Sequence, residues 1–268
     1  MDFKIGDLVT RFSYNHDIIF KIINIKENCA ILSGVDVRLL ADSDIKDLKK
    51  CEEQLLKEED DEEAVRNIEC IKKEDNYFYI PGKILHIDGD ESYLNRSMKL
   101  YKKANVLAFG IILKEDEIEK SVINFLNKIN PDILVITGHD AYYKKNEGTE
   151  KSKYKNSDNF IKAVKVARKY EKSHDKLIII AGACQSNYED IIKAGANFAS
   201  SPERVNIHAL DPAIVASSIS LTDKNESLDL VGILEKTKYK TSGMGGIRTT
   251  GTMYIGYPLV KKGWFLTK

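Results

Sequence analysis

The sequence predicts an α/β fold, a parallel sheet sandwiched by helices on both faces and preceded by a small antiparallel β-barrel. Three observations predict it. Strand-length apolar runs recur through the second two thirds of the chain, without the polar alternation of a half-solvated strand. Amphipathic helical stretches separate them. The first fifty residues differ, with short β-branched runs broken by Asn, Gly and Asp turns.

Along the chain, Leu8–Phe12 reads as a strand after the Gly6-Asp7 turn, Ile18–Ile25 as a second, and Cys29–Ser33 and Val35–Leu40 as two more. From Asp42 to Asp75 the chain is densely charged, and Leu55, Leu56, Ala64, Val65, Ile68 and Ile71 form a thin apolar stripe at helical spacing. A solvated helix linking two units accounts for it better than a functional acidic tract. The regular pattern then begins: strand Ile84–Asp88, a helix from Glu91 to Lys102, strand Val106–Ile112, a helix from Asp116 to Lys128, and strand Ile133–Thr137. A polar loop to Ser157 leads into a helix from Asp158 to Glu171. Strand Leu177–Ala181, a helix Tyr188–Ala194, a short fifth strand Gly195–Ser200 and a helix Asp211–Ser220 complete the series. The division expected is 1–50 for the barrel, 51–80 for the charged linker and 81–268 for the α/β unit.

Composition narrows the function classes. Lys+Arg and Asp+Glu both total 41, so the chain lacks the net positive charge of a nucleic-acid binder. No run approaches the ~18 apolar residues of a membrane span, and the acidic start of the chain does not read as a signal peptide. Four scattered cysteines without a C-x-x-C pair suit a reduced, intracellular protein. No H-E-x-x-H and no Cys/His quartet suggests a metal, and no cofactor is expected.

In open α/β sheets, ligands bind beyond the carboxyl ends of the strands. Two such ends carry reactive side chains: His139 after Ile-Leu-Val-Ile-Thr-Gly, and Cys184 after Ile-Ile-Ile-Ala-Gly-Ala. One helical crossover separates them, which sets their strands side by side. A cysteine after an apolar strand is, taken singly, usually a small buried hydrophobe. Paired with an imidazole it becomes a candidate nucleophile, because the imidazole favours the thiolate and can protonate a leaving amine. A helix start just after Cys184 is expected to stabilise the thiolate further. Gly138 and Gly182 would admit a substrate backbone.

A hydrophobic strand ending in His, followed by one ending in Ala-Cys, resembles the signature of caspase-like (clan CD) cysteine peptidases. Over nearly its full length the chain more closely resembles the YabG family of sporulation-specific cysteine proteases. The resemblance is carried by Ile5-Gly-Asp-Leu-Val-Thr-Arg, Leu85-His-Ile-Asp-Gly-Asp-Glu-Ser-Tyr, Val135-Ile-Thr-Gly-His-Asp and Ile180-Ala-Gly-Ala-Cys-Gln-Ser. Ala199-Ser-Ser-Pro-Glu-Arg, His208-Ala-Leu-Asp-Pro and Thr241-Ser-Gly-Met-Gly-Gly-Ile-Arg-Thr-Thr add to it. It implies a caspase-like fold behind an SH3- or KOW-like barrel, and an endopeptidase cleaving spore coat and germination proteins after Arg. Such an enzyme works in the cytoplasm of the sporulating cell, at the developing spore. His139 would be general acid/base and Cys184 the nucleophile, with the backbone N–H groups of Asp140 and Cys184 as oxyanion hole. Asp140 stands where such enzymes have a glycine, and Gly182 where many clostripain-like relatives have an acid.

The acid for a basic substrate is therefore sought elsewhere: Asp88 and Asp90 at the end of the first strand, with Asp211 as a third candidate. Helix capping accounts for Asp90 and helix initiation for Asp211 equally well. His208 is an alternative base, His86 a packing residue, and His16 and His174 turn residues. The glycine-rich run Thr241–Gly251 reads as a mobile loop bordering the cleft; a phosphate cradle is the weaker reading because no P-loop Lys-Ser/Thr follows. Self-cleavage is conceivable, for example near Arg66. The competing functional class is a non-catalytic flavodoxin- or receiver-like scaffold protein of the spore coat, in which Cys184 has no task.

Overall fold

The structure, a computed structural model, describes residues 3–51, 62, 66, 68, 74–142 and 153–259. The chain opens with five antiparallel strands: β1 (Leu8–Arg11), β2 (Phe20–Lys26), β3 (Cys29–Gly34), β4 (Leu40–Asp44) and β5 (Leu48–Lys50), in the order β4-β3-β2-β1-β5. Val9, Phe20, Ile22, Ala30, Leu32 and Leu48 are buried beneath them. A register shift between Ile22 and Asn24 bends β2. The expected fourth strand Val35–Leu40 does not form as such; β4 begins only at Leu40. Residues 35–39 instead leave the sheet, because Val37 and Leu39 bury their side chains beside Cys184 and Ile207. Most of the expected helical linker lies outside the described residues, and its end, Phe78–Ile80, is a strand (β6).

A six-stranded sheet follows. Its strands are β7 (Ile84–Asp88), β8 (Ala108–Ile112), β9 (Ile133–Thr137), β10 (Ile178–Ala181), β11 (Phe198–Ser200) and β12 (Met244–Gly246), in the order β12-β11-β10-β9-β7-β8. The first five run parallel and β12 is antiparallel to β11. β7, β9 and β10 are buried on both sides, which is why they read as unbroken apolar runs. Helices α1 (Glu91–Lys103) and α5 (Asp211–Ser220) cover one face, with α6 (Leu230–Glu235). Helices α2 (Glu115–Ile129), α3 (Ser157–Tyr170) and α4 (Tyr188–Lys193) cover the other.

Local chemistry sets the helix ends. The Asp90 carboxylate accepts the Tyr93 N–H at 3.0 Å and starts α1. Glu115, Asp116 and Glu117 crowd the first turn of α2, where the helix dipole favours them, and Asn130 ends it in the left-handed conformation. α5 is buried throughout, so it shows no amphipathic stripe.

The run Thr241–Gly251, expected as a loop, instead closes a short helix α7 (Lys240–Gly243) and supplies β12. Glycines permit this edge: a Cβ at Gly246 would lie 2.6 Å from the Asn197 carbonyl oxygen and from Phe198. A two-stranded ribbon pairs β6 with β13 (Tyr254–Gly256).

Candidate active site

Three neighbouring strand ends build one rim. Asp88 closes β7 opposite Thr137 of β9, and Ile136 of β9 pairs with Ala181 of β10. His139 and Asp140 follow β9, and Cys184 follows β10, after a turn that Gly182 enters at φ +111°, a conformation suited to glycine. The chain order reverses between β7 and its two neighbours, the place where such sheets take ligands.

His139 is nearly buried. Its backbone N–H donates to Glu115 Oε1 at 2.8 Å, and the same oxygen lies 3.9 Å from Nδ1. Nε2 lies 2.9 Å from Ser33 Oγ on β3 and 3.6 Å from Asp90 Oδ2. The Tyr93 ring stands 5.3 Å away. Burial holds the imidazole pKa below its ordinary value, against the pull of Asp90 and Glu115.

Cys184 is fully buried. It belongs to the apolar cluster of the N-terminal sheet rather than to the clusters on either face of the parallel sheet. Its sulfur accepts the Ile207 N–H at 3.1 Å, and its S–H points to the Ile207 carbonyl at 3.5 Å. Burial pushes the thiol up to about 12, outweighing the Ile207 N–H and the Arg38 charge. The expected help from a helix start does not prevail: α4 has six residues and begins four positions later.

Arg38, which the sequence reading passed over, ties the rim together. Its side chain is wholly buried, with Nη1 2.8 Å from Asp88 Oδ2 and 3.0 Å from Oδ1. Nε and Nη2 donate to the Ala209 carbonyl at 3.1 and 2.9 Å, and the guanidinium carbon lies 4.9 Å from the Tyr93 ring centre. The Arg38 carbonyl accepts the Cys184 N–H at 3.3 Å. One hint lay in the sequence, a single Arg inside the apolar run Val35-Asp-Val-Arg-Leu-Leu. Ser33 and Glu115 carried no such signal.

The acids divide by their partners. Asp88 also accepts from Thr137 Oγ1 (2.9 Å) and the Asp90 N–H (3.0 Å). Burial opposes its ionisation, yet the Arg38 charge prevails and holds its carboxyl well below the usual range. Asp90 caps α1 and also reaches toward His139. Asp211 takes the His208 and Lys238 N–H groups at 2.9 Å each and organises the loop into α5; burial pushes its pKa up to about 6. Asp140 turns its carboxylate away from His139, accepting from Ala141 N, Asn156 N, Ser157 Oγ and Ser186 Oγ. His86 lies below the rim, between Tyr101 Oη (2.9 Å) and Thr137 Oγ1 (2.8 Å). His208 accepts the Leu210 N–H at 3.4 Å through Nδ1.

Among the described residues no cluster of three or more His, Cys, Asp or Glu side chains is placed to hold a metal ion, and no helix is long and apolar enough to cross a membrane. A cavity of about 830 Å³ lies elsewhere, bordered by Tyr79, Asp223, Lys236 and Met253, and no candidate residue lines it.

The fold is of the mixed α/β class, a parallel sheet between helices, with a histidine and a cysteine at neighbouring strand ends. The family model of the YabG peptidases (peptidase U57) matches residues 4–258, and the chain belongs to that family. It is 42% identical to the sporulation-specific protease YabG of Bacillus subtilis (strain 168), over 96% of this chain and 99% of that protein. Among solved structures, a cobalamin-binding protein from Desulfitobacterium hafniense DCB-2 matches 46% of this chain and 53% of its own, at 19% identity and a TM-score of 0.30. That likeness is too slight to bear on fold or ligand.

Proposed function

We propose that this chain is a sporulation-associated cysteine endopeptidase that cuts after arginine, with Cys184 as nucleophile and His139 as general acid/base. The observation that carries it is Arg38. Its guanidinium is held by the Asp88 carboxylate and the Ala209 carbonyl, while its own carbonyl receives the Cys184 N–H. An arginine side chain paired with a buried carboxylate, with its carbonyl on the Cys184 N–H, supports reading Asp88 as the acid for a substrate arginine. A parallel bridge joins Leu39 to Asp140, and in such a bridge the residue opposite Leu39 addresses Arg38 and Leu40; the Leu40 N–H donates to the Asp140 carbonyl at 3.4 Å. This supports the backbone N–H groups of Cys184 and Asp140 as the oxyanion hole.

In the reaction, the Cys184 sulfur attacks the carbonyl carbon of the arginine, and its proton passes to His139. The tetrahedral oxyanion collapses to a thioester as His139 protonates the leaving amine. Water, deprotonated by His139, then attacks the thioester, releasing the carboxylate product and the free thiol. Asp88 is the acid that recognises the arginine; Asp90 and Asp211 stand beside the site as helix and loop caps. The fold reading is caspase-like, supported by five parallel strands, an antiparallel sixth and the His and Cys on adjacent strands. The N-terminal strands are read as an SH3-like barrel, supported by the bend in β2. The units proposed are 1–50, 51–80 and 81–268. The natural substrates are proteins of the developing spore, coat and germination proteins among them, a reading that rests on the Bacillus subtilis relative.

The burial of Cys184 favours a second reading, a non-catalytic α/β scaffold of the spore coat. Cys184→Ala separates the two. On the peptidase reading, the variant folds and no longer cuts an Arg-containing protein, and mass-spectrometric mapping finds no new ends after Arg. Retained cleavage removes the mechanism.

A further inference from the structure

The residues that seal the candidate site come from one short segment of the same chain. Residues 36–40 cross the rim as a loop with a tight turn, closed by the Leu39 N–H on the Val37 carbonyl at 2.8 Å, and two isolated bridges tie it to its neighbours. The Arg38 N–H donates to the Ile207 carbonyl at 3.3 Å, the Ala209 N–H donates to the Asp36 carbonyl at 2.8 Å, and Val37 bridges His208 in antiparallel sense. On the other flank, Leu40 pairs with Asp140 and the Cys184 N–H is bound to the Arg38 carbonyl. Tyr93 Oη lies against both the Gly34 and Val37 carbonyls and its single proton clamps the preceding turn, and Arg96 holds Asp36 at 3.1 Å.

Two features make this a block rather than a poised substrate. The His139 Nε2 that would serve the reaction is engaged by Ser33 of the same stretch. The Cys184 sulfur is turned into backbone contacts with Ile207, within the apolar cluster that Val37 and Leu39 help to close.

We propose that residues 33–40 are a built-in competitive inhibitor: Arg38 fills the arginine pocket, Ser33 occupies His139, and the enzyme acts on other proteins only when this segment is displaced. The inference rests on the peptidase reading for its consequence, though the block itself is a statement about access to Cys184. A tethered ligand acts at about millimolar effective concentration, so even a weak intrinsic affinity for the pocket suppresses access to the site.

The test uses the full chain. The rate at which iodoacetamide alkylates Cys184 is followed by mass spectrometry, alongside initial hydrolysis of an added Arg-containing peptide. Arg38→Ala is expected to raise both about tenfold or more over wild type, in protein that still unfolds cooperatively. Because Arg38→Ala leaves Asp88 without its cation, the double variant Arg38→Ala/Asp88→Asn serves as a second probe, read by alkylation alone. Alkylation as slow in the folded variants as in wild type would overturn the proposal. So would prompt cutting of the Arg38–Leu39 bond in wild type, as fast as that of the added peptide, since the segment would then be a substrate. Faster alkylation with no hydrolysis in any variant supports the block and counts against the peptidase reading instead.

Discussion

Ser33 Oγ and His139 Nε2 meet at 2.9 Å, although 106 positions separate them in the chain. The contact joins the N-terminal sheet to the end of β9, where both residues are nearly buried, and it is the hydrogen bond of the Ser33 hydroxyl. Ser33→Ala should therefore destabilise the folded chain by about 1–3 kcal/mol, the cost of leaving a buried polar atom unpaired. Urea unfolding with an unchanged m-value would show it.

The Arg38–Asp88 pair makes a pH prediction. Asp88 has an ordinary value of 3.8 and a lower one when folded, so between the two the unfolded chain binds more protons. Its contribution to stability is complete above that ordinary value and is lost as pH falls toward the folded value. Asp88→Asn should flatten this acid limb, and should cost about 3–5 kcal/mol at neutral pH by stranding the Arg38 charge. Unfolding measured from pH 7 down to about pH 3 reaches the start of this decline, just below the unperturbed carboxylate value.

Glu115 holds the His139 backbone N–H at 2.8 Å, its carboxylate standing 3.9 Å from the ring. The neighbouring glycines make room for it: a Cβ at Gly89 or at Gly138 would fall 2.5 Å from Glu115 Oε1. Gly138→Ala is expected to displace the Glu115 side chain and to mimic Glu115→Ala, each lowering kcat about tenfold or more through misplacement of the imidazole. Both should leave KM close to wild type while lowering the thermal midpoint by the loss of the bond to the His139 N–H, and Glu115→Gln should retain most of the activity. Equal loss in KM would point to substrate binding instead.

Gly246→Ala tests the sheet edge. The added methyl meets Asn197 backbone and the Phe198 ring, neither of which can move freely within β11 and its approach. A loss of about 1–3 kcal/mol is expected, as for other overpacked sites, read by thermal unfolding.

Much of this architecture was legible in the residues because burial on both faces leaves an unmistakable apolar run in β7, β9 and β10. The same runs located His139 and Cys184 at strand ends. β12 escaped notice because Met244-Gly-Gly carries no β-branched residue, its pairing resting on what its glycines omit. Val35–Leu40 read as a strand of the first sheet for a sound reason, its alternating apolar residues. Those residues do bury, but as a loop that closes the N-terminal cluster over Cys184 and Ile207, a choice set by distant partners. Arg38, Ser33 and Glu115 owe their places to contacts across 24 to 171 positions, which no local pattern encodes.

The Asp140 carboxylate gathers donors from residues 141, 156, 157 and 186, and Tyr142 bridges Tyr154 beside it. The approach to α3 and the turn after β10 are therefore pinned to one side chain, so a change at Asp140 is felt at residues 156, 157 and 186 together.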